Sequence, residues 1–283
     1  MLKQRVATAL IMLGILLPTL FVASPWPFCL LALVFIAAGA WEWGRLNGFG
    51  GKVAVWGAVQ FALLAAMTWY MGLLERQLTT LWIMASGVWV LMSAWLLKAG
   101  ATGWLSIPAN IRRMIGVFAL WMAWLAVAQA RVIGINFLMS VLFLVWAADV
   151  FAYFAGRALG GKFFANKLAP TISPGKSWEG VWGGVFGVFL FAFSWVWADV
   201  HWHSTVPSLY SRLSTQHWSL MLISLLFLTA MSVIGDLVES LIKRSAEVKD
   251  SSGLLPGHGG VLDRIDALLP TLPIAMMLAG LFQ

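Results

Sequence analysis

The chain is organised around one polar stretch, Ser240-Leu-Ile-Lys-Arg-Ser-Ala-Glu-Val-Lys-Asp-Ser-Ser-Gly-Leu-Leu-Pro-Gly-His-Gly-Gly-Val-Leu-Asp-Arg-Ile-Asp266. Acidic, basic and glycine residues are gathered in it, whereas the sequence around it is mostly Leu, Ala, Val, Phe and Trp. Immediately before it, Asp236 and Glu239 lie at the end of an apolar run. Acids suited to a cation, bases suited to phosphate and glycines with exposed N–H groups thus meet at one membrane boundary. This combination indicates phosphate chemistry at a membrane.

The composition is that of an integral membrane protein. Of the 283 residues, 61% are hydrophobic and only 10% are charged, and the mean hydropathy is +0.88. A soluble domain carries about 25% charged residues. The single cysteine, Cys29, excludes an internal disulfide and a cysteine-rich metal site. We therefore expect an all-α fold, a polytopic transmembrane helical bundle.

Nine apolar segments predict the transmembrane helices. They are residues 6–23, 27–41, 53–73, 79–97, 111–130, 133–154, 178–199, 217–235 and 265–282. Most have the roughly 17–25 residues that cross the hydrocarbon layer. The second is short, and Pro25 and Pro27 form the turn before it, so the first two could instead form a re-entrant hairpin. The first also resembles a signal peptide, although its cleavage-site pattern is poor.

Basic residues predict the orientation of the bundle. With the N-terminus in the cytoplasm, only Arg76, Arg131 and Arg212 of the 18 Lys and Arg residues lie outside. This bias is typical of cytoplasmic loops, and it explains the net charge of +7 without nucleic acid as a partner. We expect N-terminal transmembrane helices in residues 1–130 and a catalytic transmembrane region in residues 131–283. The cytoplasmic loops of that region, 155–177 and 240–264, put the active site at the cytoplasmic face.

Carboxylates at the membrane edge are the first candidates for chemistry. If helical, Asp236, Glu239 and Lys243 share one face, because they are three and seven residues apart. A helix C-terminus disfavours carboxylates, and a bound cation would remove that conflict. Asp263 and Asp266 begin the last segment, and with Asp236 they could supply the oxygen ligands of Mg²⁺. A snorkelling glutamate and ordinary acids at a helix N-terminus are the simpler alternatives.

The glycine-rich turn Pro256-Gly-His-Gly-Gly260 precedes a predicted helix. Such turns direct backbone N–H groups at an anion, and the helix dipole adds to the effect. His258 within it could donate to phosphate or shuttle a proton. The alternative is a flexible connector.

A second polar loop follows the sixth segment. Its run Gly156-x4-Gly161-Lys162 resembles a P-loop, but Phe163 stands where the Mg²⁺-binding Ser or Thr is required. We therefore reject a Walker-type ATPase. The loop still offers phosphates a set of basic and hydroxyl side chains: Arg157, Lys162, Lys167, Lys176 and Ser177. Glu179 is interpreted either as a supporting acid or as a residue that faces water.

The stretch from Ser240 to Asp266 resembles the signature of the phosphatidate cytidylyltransferases, also called CDP-diacylglycerol synthases. The pattern is Ser-x-apolar-Lys-Arg-x4-Lys-Asp, then Leu-Pro-Gly-His-Gly-Gly, then Asp-Arg-apolar-Asp, and every position is met. The upstream elements Asp149-x3-Tyr-Phe-x-Gly-Arg157, Gly-Lys162 and Ser173-Pro-Gly-Lys-Ser-Trp-Glu-Gly180 are also similar to that family. The likeness covers the C-terminal half, and the first 130 residues share only apolar spans.

The resemblance implies a multi-pass enzyme of a bacterial-type inner membrane that converts CTP and phosphatidate into CDP-diacylglycerol and pyrophosphate. It implies Mg²⁺ bound by Asp236 and Asp263, a second, monovalent cation such as K⁺, and a homodimer. The expected catalytic residues are Asp236, Lys243, Arg244, Lys249, Asp250, His258, Asp263, Arg264 and Asp266. The expected substrate-binding residues are Asp149, Tyr153, Arg157, Lys162, Ser173, Lys176, Ser177, Glu179, Glu239, Gly259 and Gly260.

Other functions are open but less consistent with the sequence. A CTP-dependent polyprenol or phytol kinase would transfer the γ-phosphate to a lipid alcohol, and the intact signature argues against it. A transporter of anionic lipid or phosphate could use the same basic loops. Transporters usually place polar sites near the membrane midplane, whereas the polar residues here cluster at one face.

Overall fold

The computed structural model describes residues 2–282, and most of them are helical. The helices are α1 (Leu2–Phe21), α2 (Trp26–Leu46), α3 (Gly51–Tyr70), α4 (Thr79–Ser106), α5 (Ala109–Ile133), α6 (Ile135–Leu159), α7 (Trp178–His201), α8 (Leu209–Gln216), α9 (Trp218–Ser245), α10 (Leu262–Ile265) and α11 (Leu268–Leu281). Within the described chain, β pairing is limited to two isolated bridges, one in each polar loop. The predicted all-α fold is confirmed.

Eight helical stretches of the described chain are long and apolar enough to cross a membrane. They are α2 to α7, α9, and the Leu262–Leu281 stretch that contains α10 and α11. The shorter apolar helix Val6–Phe21 in α1 corresponds to the first of the nine predicted segments. The short helix α8 was not predicted, since its sequence is polar and it lies in the connection between two spans.

Helices α1 and α2 each run the length of the bundle. Near the start of α1, the Thr8 hydroxyl donates to the Pro256 carbonyl at 2.9 Å. After its end, the Val22 carbonyl accepts from Arg131 at 2.5 Å. Helix α2 returns, and Glu42 near its C-terminus contacts the loop that contains Pro256. Both helices therefore extend from one end of the bundle to the other. Helix α2 is a candidate membrane span, while a crossing by α1, whose apolar part is Val6–Phe21, stays a prediction. We call the end with Pro256 the site end and the end with Val22 the far end.

The core is continuous across the two predicted regions. Helix α5 lies at its centre, where Leu120, Trp124 and Leu125 are fully buried. The Trp124 indole donates to the Cys29 carbonyl of α2 at 3.1 Å. Helix α11 packs against α4, α5 and α9, which joins the N-terminal helices directly to the C-terminal ones. A division of the chain at residue 130 remains a prediction, and the core does not separate there.

Several helices extend beyond the predicted apolar segments. Helix α9 continues to Ser245 and α6 to Leu159, so the two polar loops are residues 246–261 and 160–177. Helix α4 continues past a kink at Gly100, where φ is 69°. Glycine accepts this left-handed backbone conformation without steric cost. The last predicted segment is interrupted between α10 and α11, beside Asp266.

The far end has its own polar network. Asp199 accepts hydrogen bonds from the Asn136 amide at 2.7 Å and the Ser211 hydroxyl at 2.6 Å. It also accepts from the Ser208 N–H at 2.9 Å, while the Trp195 indole donates to Asn136. These groups satisfy one another, so the network holds α6, α7 and α8 together.

Candidate active site

Helices α6, α7 and α9 line a polar cavity of about 440 Å³ at the site end. Six of the predicted site residues line it: Asp149, Tyr153, Arg157, Lys176, Ser177 and Asp236. Helices α6 and α7 approach closely, since a Cβ built on Gly180 would lie 3.1 Å from the Ala152 carbonyl oxygen. We refer to this space as the polar cavity.

An ion pair lies on the wall of the polar cavity. The Lys176 ammonium is 2.6 Å from one carboxylate oxygen of Asp236, and both side chains are partly exposed. The other oxygen of Asp236 accepts from the Ser240 hydroxyl, one turn along α9, at 3.2 Å. On the opposite wall, Arg157 donates to the Tyr153 hydroxyl at 3.2 Å. The cavity thus presents both an acid and bases to a solute.

A buried charge cluster lies one helical turn beyond Asp236. Lys243 donates to the Oδ1 atom of Asp263 at 2.6 Å and forms an ion pair with Glu239. Glu239 is only 3% exposed, and it lines an apolar cavity between α4, α5 and α9. Its predicted role in substrate binding stays a prediction. Lys243 is therefore shared between two acids, one on α9 and one on α10.

Asp263 organises the glycine-rich turn. Its Oδ2 atom accepts from the Ser251 N–H at 2.9 Å, the Ser251 hydroxyl at 3.0 Å and the Gly260 N–H at 2.7 Å. The turn was predicted to direct N–H groups at an anion, and the anion that Gly260 meets is Asp263 of the same chain. Roles of Gly259 and Gly260 toward substrate therefore remain predictions.

Glu42 of α2 is the site residue that the sequence analysis missed. It is fully buried, and its two carboxylate oxygens accept from the Val261 N–H at 2.9 Å and the Leu262 N–H at 2.8 Å. The hydroxyls of Ser251 and Ser252 donate to it at 3.2 and 2.5 Å. Glu42 therefore connects residues 251–252 with residues 261–262. The Ser251 hydroxyl also bonds to Asp263, so the two acids share a partner.

One signal for Glu42 is present in the sequence. It is the only acid before Glu75, and it lies next to an apolar segment. Acids at such positions are costly and usually have a partner or a function. The partners, however, are more than 200 residues away along the chain, and no local pattern identifies them.

Glu179 holds the other loop. It is 5% exposed, and its Oε1 atom accepts from the N–H groups of Phe163 and Phe164 at 3.1 and 3.0 Å. Of the two interpretations, the one in which Glu179 faces water is wrong. Two residues earlier, Ser177 caps the N-terminus of α7 through a bond from the Gly180 N–H.

The remaining predicted residues lie around the cavity and the two loops. Arg244 links the loops, because its Nε donates to the Ile172 carbonyl at 3.4 Å. Arg264 donates to the His258 carbonyl at 3.1 Å. Asp266 accepts from the Ala267 N–H. The predicted site residues with exposed side chains are Asp149, Tyr153, Arg157, Lys162, Arg244, Lys249, Asp250 and Arg264. Ser173 is half-buried in the second loop.

Asp236 and Asp263 are the two residues predicted to hold Mg²⁺. Among the described residues there is no group of three or more His, Cys, Asp or Glu arranged around a metal position. Each of the two aspartates instead forms an ion pair through one carboxylate oxygen, Asp236 with Lys176 and Asp263 with Lys243. Mg²⁺ commonly takes one or two carboxylates and completes its shell with water and substrate phosphates. The donor chemistry fits a cation that arrives with a phosphorylated substrate.

Comparison with known proteins gives concordant matches. The Cytidylyltransferase family model matches residues 3–282. The phosphatidate cytidylyltransferase of Pseudomonas aeruginosa is 35% identical over 97% of this chain and 95% of its own length. That of Haemophilus influenzae is 33% identical over 96% of each chain. The Bacillus subtilis enzyme of the same name is 38% identical over 53% of this chain and 49% of its own length.

The family match covers the N-terminal helices as well as the signature, so it includes Glu42 and both loops. The first two relatives are covered nearly end to end. The predicted resemblance is confirmed, and the chain belongs to the cytidylyltransferase family.

Proposed function

We propose that this chain transfers the cytidylyl group of CTP to phosphatidate, giving CDP-diacylglycerol and pyrophosphate for phospholipid synthesis. The observation that carries the proposal is the set of acids and bases around the polar cavity at one end of an apolar bundle. A phosphate-bearing lipid can reach this place from the bilayer and a nucleotide from the water. The names of the relatives support the same reaction.

The reaction is an in-line displacement at phosphorus. An oxygen of the phosphatidate phosphate attacks the α-phosphorus of CTP, and the bond from that phosphorus to the bridging α,β oxygen breaks. Pyrophosphate leaves with the bonding electrons. A phosphomonoester has a second pKa of about 6, so the attacking group is already anionic at neutral pH. The protein then has to align the two phosphates and neutralise their charge.

The bases of the site suit that task. Lys176, Arg157 and Lys243 lie around or next to the polar cavity, and Arg244, Lys249 and Arg264 are exposed at the same end. Arginine can bind a phosphate through two parallel hydrogen bonds. Glu42 and Glu179 act on substrate only indirectly, because both oxygens of Glu42 and the Oε1 atom of Glu179 accept hydrogen bonds from the loops. They hold the loops in one conformation before substrate binds.

We propose Asp236 and Asp263 as the residues that hold Mg²⁺. When bound, the cation would offset the charge of the CTP phosphates. Lys176 and Lys243, which now contact these carboxylates, are placed to turn toward the phosphates instead. Asp266 and Asp250 would add negative charge nearby. A second, monovalent cation such as K⁺ is proposed from the family resemblance.

The cellular setting is also a proposal. The basic residues favour a cytoplasmic site end, where nucleotides are present, and the bacterial relatives favour the inner membrane. A homodimer is proposed from the family resemblance alone.

The test is a label-transfer assay on the purified protein in detergent. Either phosphatidate or a lipid alcohol is supplied, together with Mg²⁺ and with CTP labelled at the α- or the γ-phosphate. The proposal predicts that α-label enters the lipid phase and that γ-label appears in pyrophosphate. Transfer of γ-label into a lipid alcohol would instead identify a CTP-dependent kinase. Absence of lipid label from both substrates would contradict both readings.

A further inference from the structure

An apolar groove continues the polar cavity toward the bilayer. Its volume is about 510 Å³, and its lining contains no charged residue. Its walls are Leu97 of α4 and Trp178 of α7, and residues 168–172 form its roof. Leu168, Val181 and Val233 line both spaces. We call this space the α4–α7 groove.

The floor of the α4–α7 groove is helix α9, which packs against both α4 and α7. Ala230, Ile234 and Leu237 line this floor. Ala230 is exposed, so the deep end of the groove opens to the surroundings of the bundle. Residues 230–237 span about 10 Å along a helix. The groove therefore runs along α9 from the polar cavity toward the middle of the bundle's length, where it opens beside Ala230.

The polar cavity at the end of the groove is lined by two acids, Asp149 and Asp236, as well as by two bases. Lys176 and Arg157 line the adjoining cavity. In the described chain, the side chain of Arg157 has the Tyr153 hydroxyl as its hydrogen-bond partner and no acid. The roof is held in place, because the Leu168 N–H donates to the Lys176 carbonyl at 3.3 Å and Arg244 donates to Ile172. A molecule with an anionic head and an apolar tail matches a cavity with bases that adjoins an apolar groove.

We propose that the α4–α7 groove holds an acyl chain of phosphatidate while Lys176 and Arg157 contact its phosphate. This inference rests on the proposed function and adds to it the place and orientation of the lipid. The first carbons of the chain lie against Leu168 and Val233. Later carbons pass Ala230 and leave the groove for the bilayer. Ala230 is about 5 Å from Val233 along α9, so a short chain extends little beyond Ala230, whereas a long chain passes it with most of its carbons.

The first test fills the deep end of the groove. Ala230→Phe is compared with Ala66→Phe, which adds the same ring to an exposed position on α3. Both variants and the unmodified protein receive dihexanoyl or dioleoyl phosphatidate. Overpacking of this size predicts a loss of kcat/KM of at least roughly tenfold for the dioleoyl substrate in Ala230→Phe. The dihexanoyl substrate should change by less than about twofold, and Ala66→Phe should leave both unchanged.

An equal loss for the two chain lengths in Ala230→Phe would contradict the proposal, as would no loss for either. Failure of the unmodified protein to use any phosphatidate would instead refute the proposed function. The two failures are therefore distinguishable.

A second measurement does not depend on turnover. Phosphatidate with a photoreactive group in the first half of one acyl chain is cross-linked to the unmodified protein, and the labelled peptides are mapped. The proposal predicts labels in α4, α7 and α9 around Leu97, Val181 and Ala230. Unlabelled phosphatidate should suppress them, and phosphatidylcholine should not. Suppressible labels confined to the apolar cavity between α4 and α5, beside Trp89 and Phe118, would overturn it.

Discussion

Two buried glutamates hold the two loops of the site. A carboxylate removed from water is costly unless hydrogen bonds replace those of the solvent. Glu42 receives four such bonds from residues 251–262, and Glu179 receives two from Phe163 and Phe164. In both cases the acid is on a long helix and the donors are on a loop. The helix therefore determines where the loop lies.

Glu42→Gln tests this role at the scale of one residue. The amide keeps the size of the side chain but replaces an acceptor oxygen with an N–H donor, which would face the donors of Val261 or Leu262. We expect a stability loss of about 1–3 kcal/mol from the unsatisfied groups. Turnover should fall roughly 10- to 100-fold, as when a supporting partner of a ligand is lost. Thermal unfolding in detergent and the label-transfer assay measure the two effects.

Glu75→Gln is the matched control, because Glu75 is exposed at the far end. It should change neither unfolding nor turnover. If Glu42→Gln retains full turnover, Glu42 does not position the loop that carries Ser251 and Asp263.

The loop 246–261 and α10 form the element that separates this fold from a plain bundle. Ser251 and Gly260 lie between two carboxylates, and a Cβ on Gly260 would lie 2.0 Å from the Ser251 hydroxyl and 2.5 Å from Glu42. No backbone strain is involved at this position, only the lack of space. A glycine is needed there because Ser251, Glu42 and Asp263 all lie against its backbone.

Gly260→Ala should therefore displace Ser251 or Glu42 and reduce turnover strongly. We expect a destabilisation of about 1–3 kcal/mol from overpacking. Gly253→Ala is the control in the same loop, since a Cβ there meets nothing within 4 Å. Parallel assays of expression, unfolding and turnover provide the measurement. Equal behaviour of the two variants would show that the packing around Gly260 is not required.

The sequence predicted the helices well and their ends less well. Apolar length indicates a span, but it does not show that α9 continues through Lys243, where ion pairs with Glu239 and Asp263 stabilise charged residues. It also does not show the interruption beside Asp266. The polar residues around the cavity could be predicted from the sequence, because they are concentrated in two short stretches of an otherwise apolar chain. Glu42 could not, because its partners are remote in sequence.

At the scale of the whole molecule, the bundle keeps different polar groups at its two ends. The far-end network around Asp199 satisfies itself, whereas the site end combines acids, bases and a cavity. The orientation of these ends in a membrane remains a prediction from the positions of the basic residues.

Site-directed labelling tests that orientation. Cys29 is the only native cysteine and is buried, so the native chain provides a low background. A membrane-impermeant maleimide is applied to bacterial spheroplasts that express Glu75→Cys or Gly253→Cys. The far-end variant should be labelled in intact spheroplasts, and the site-end variant only after lysis. The reverse pattern would place the site outside the cytoplasm.

The most direct measurement is a Mg²⁺ titration of CTP-dependent label transfer to phosphatidate in the unmodified protein, Asp236→Asn and Asp263→Asn, with Glu75→Gln as the control. We predict that EDTA abolishes transfer in the unmodified protein. Each aspartate variant should lose at least about 100-fold in turnover, as expected when a preorganised charge is removed from an active site, while its thermal unfolding still shows a folded protein. Near-normal transfer by a folded Asp236→Asn or Asp263→Asn variant would contradict the account of this site.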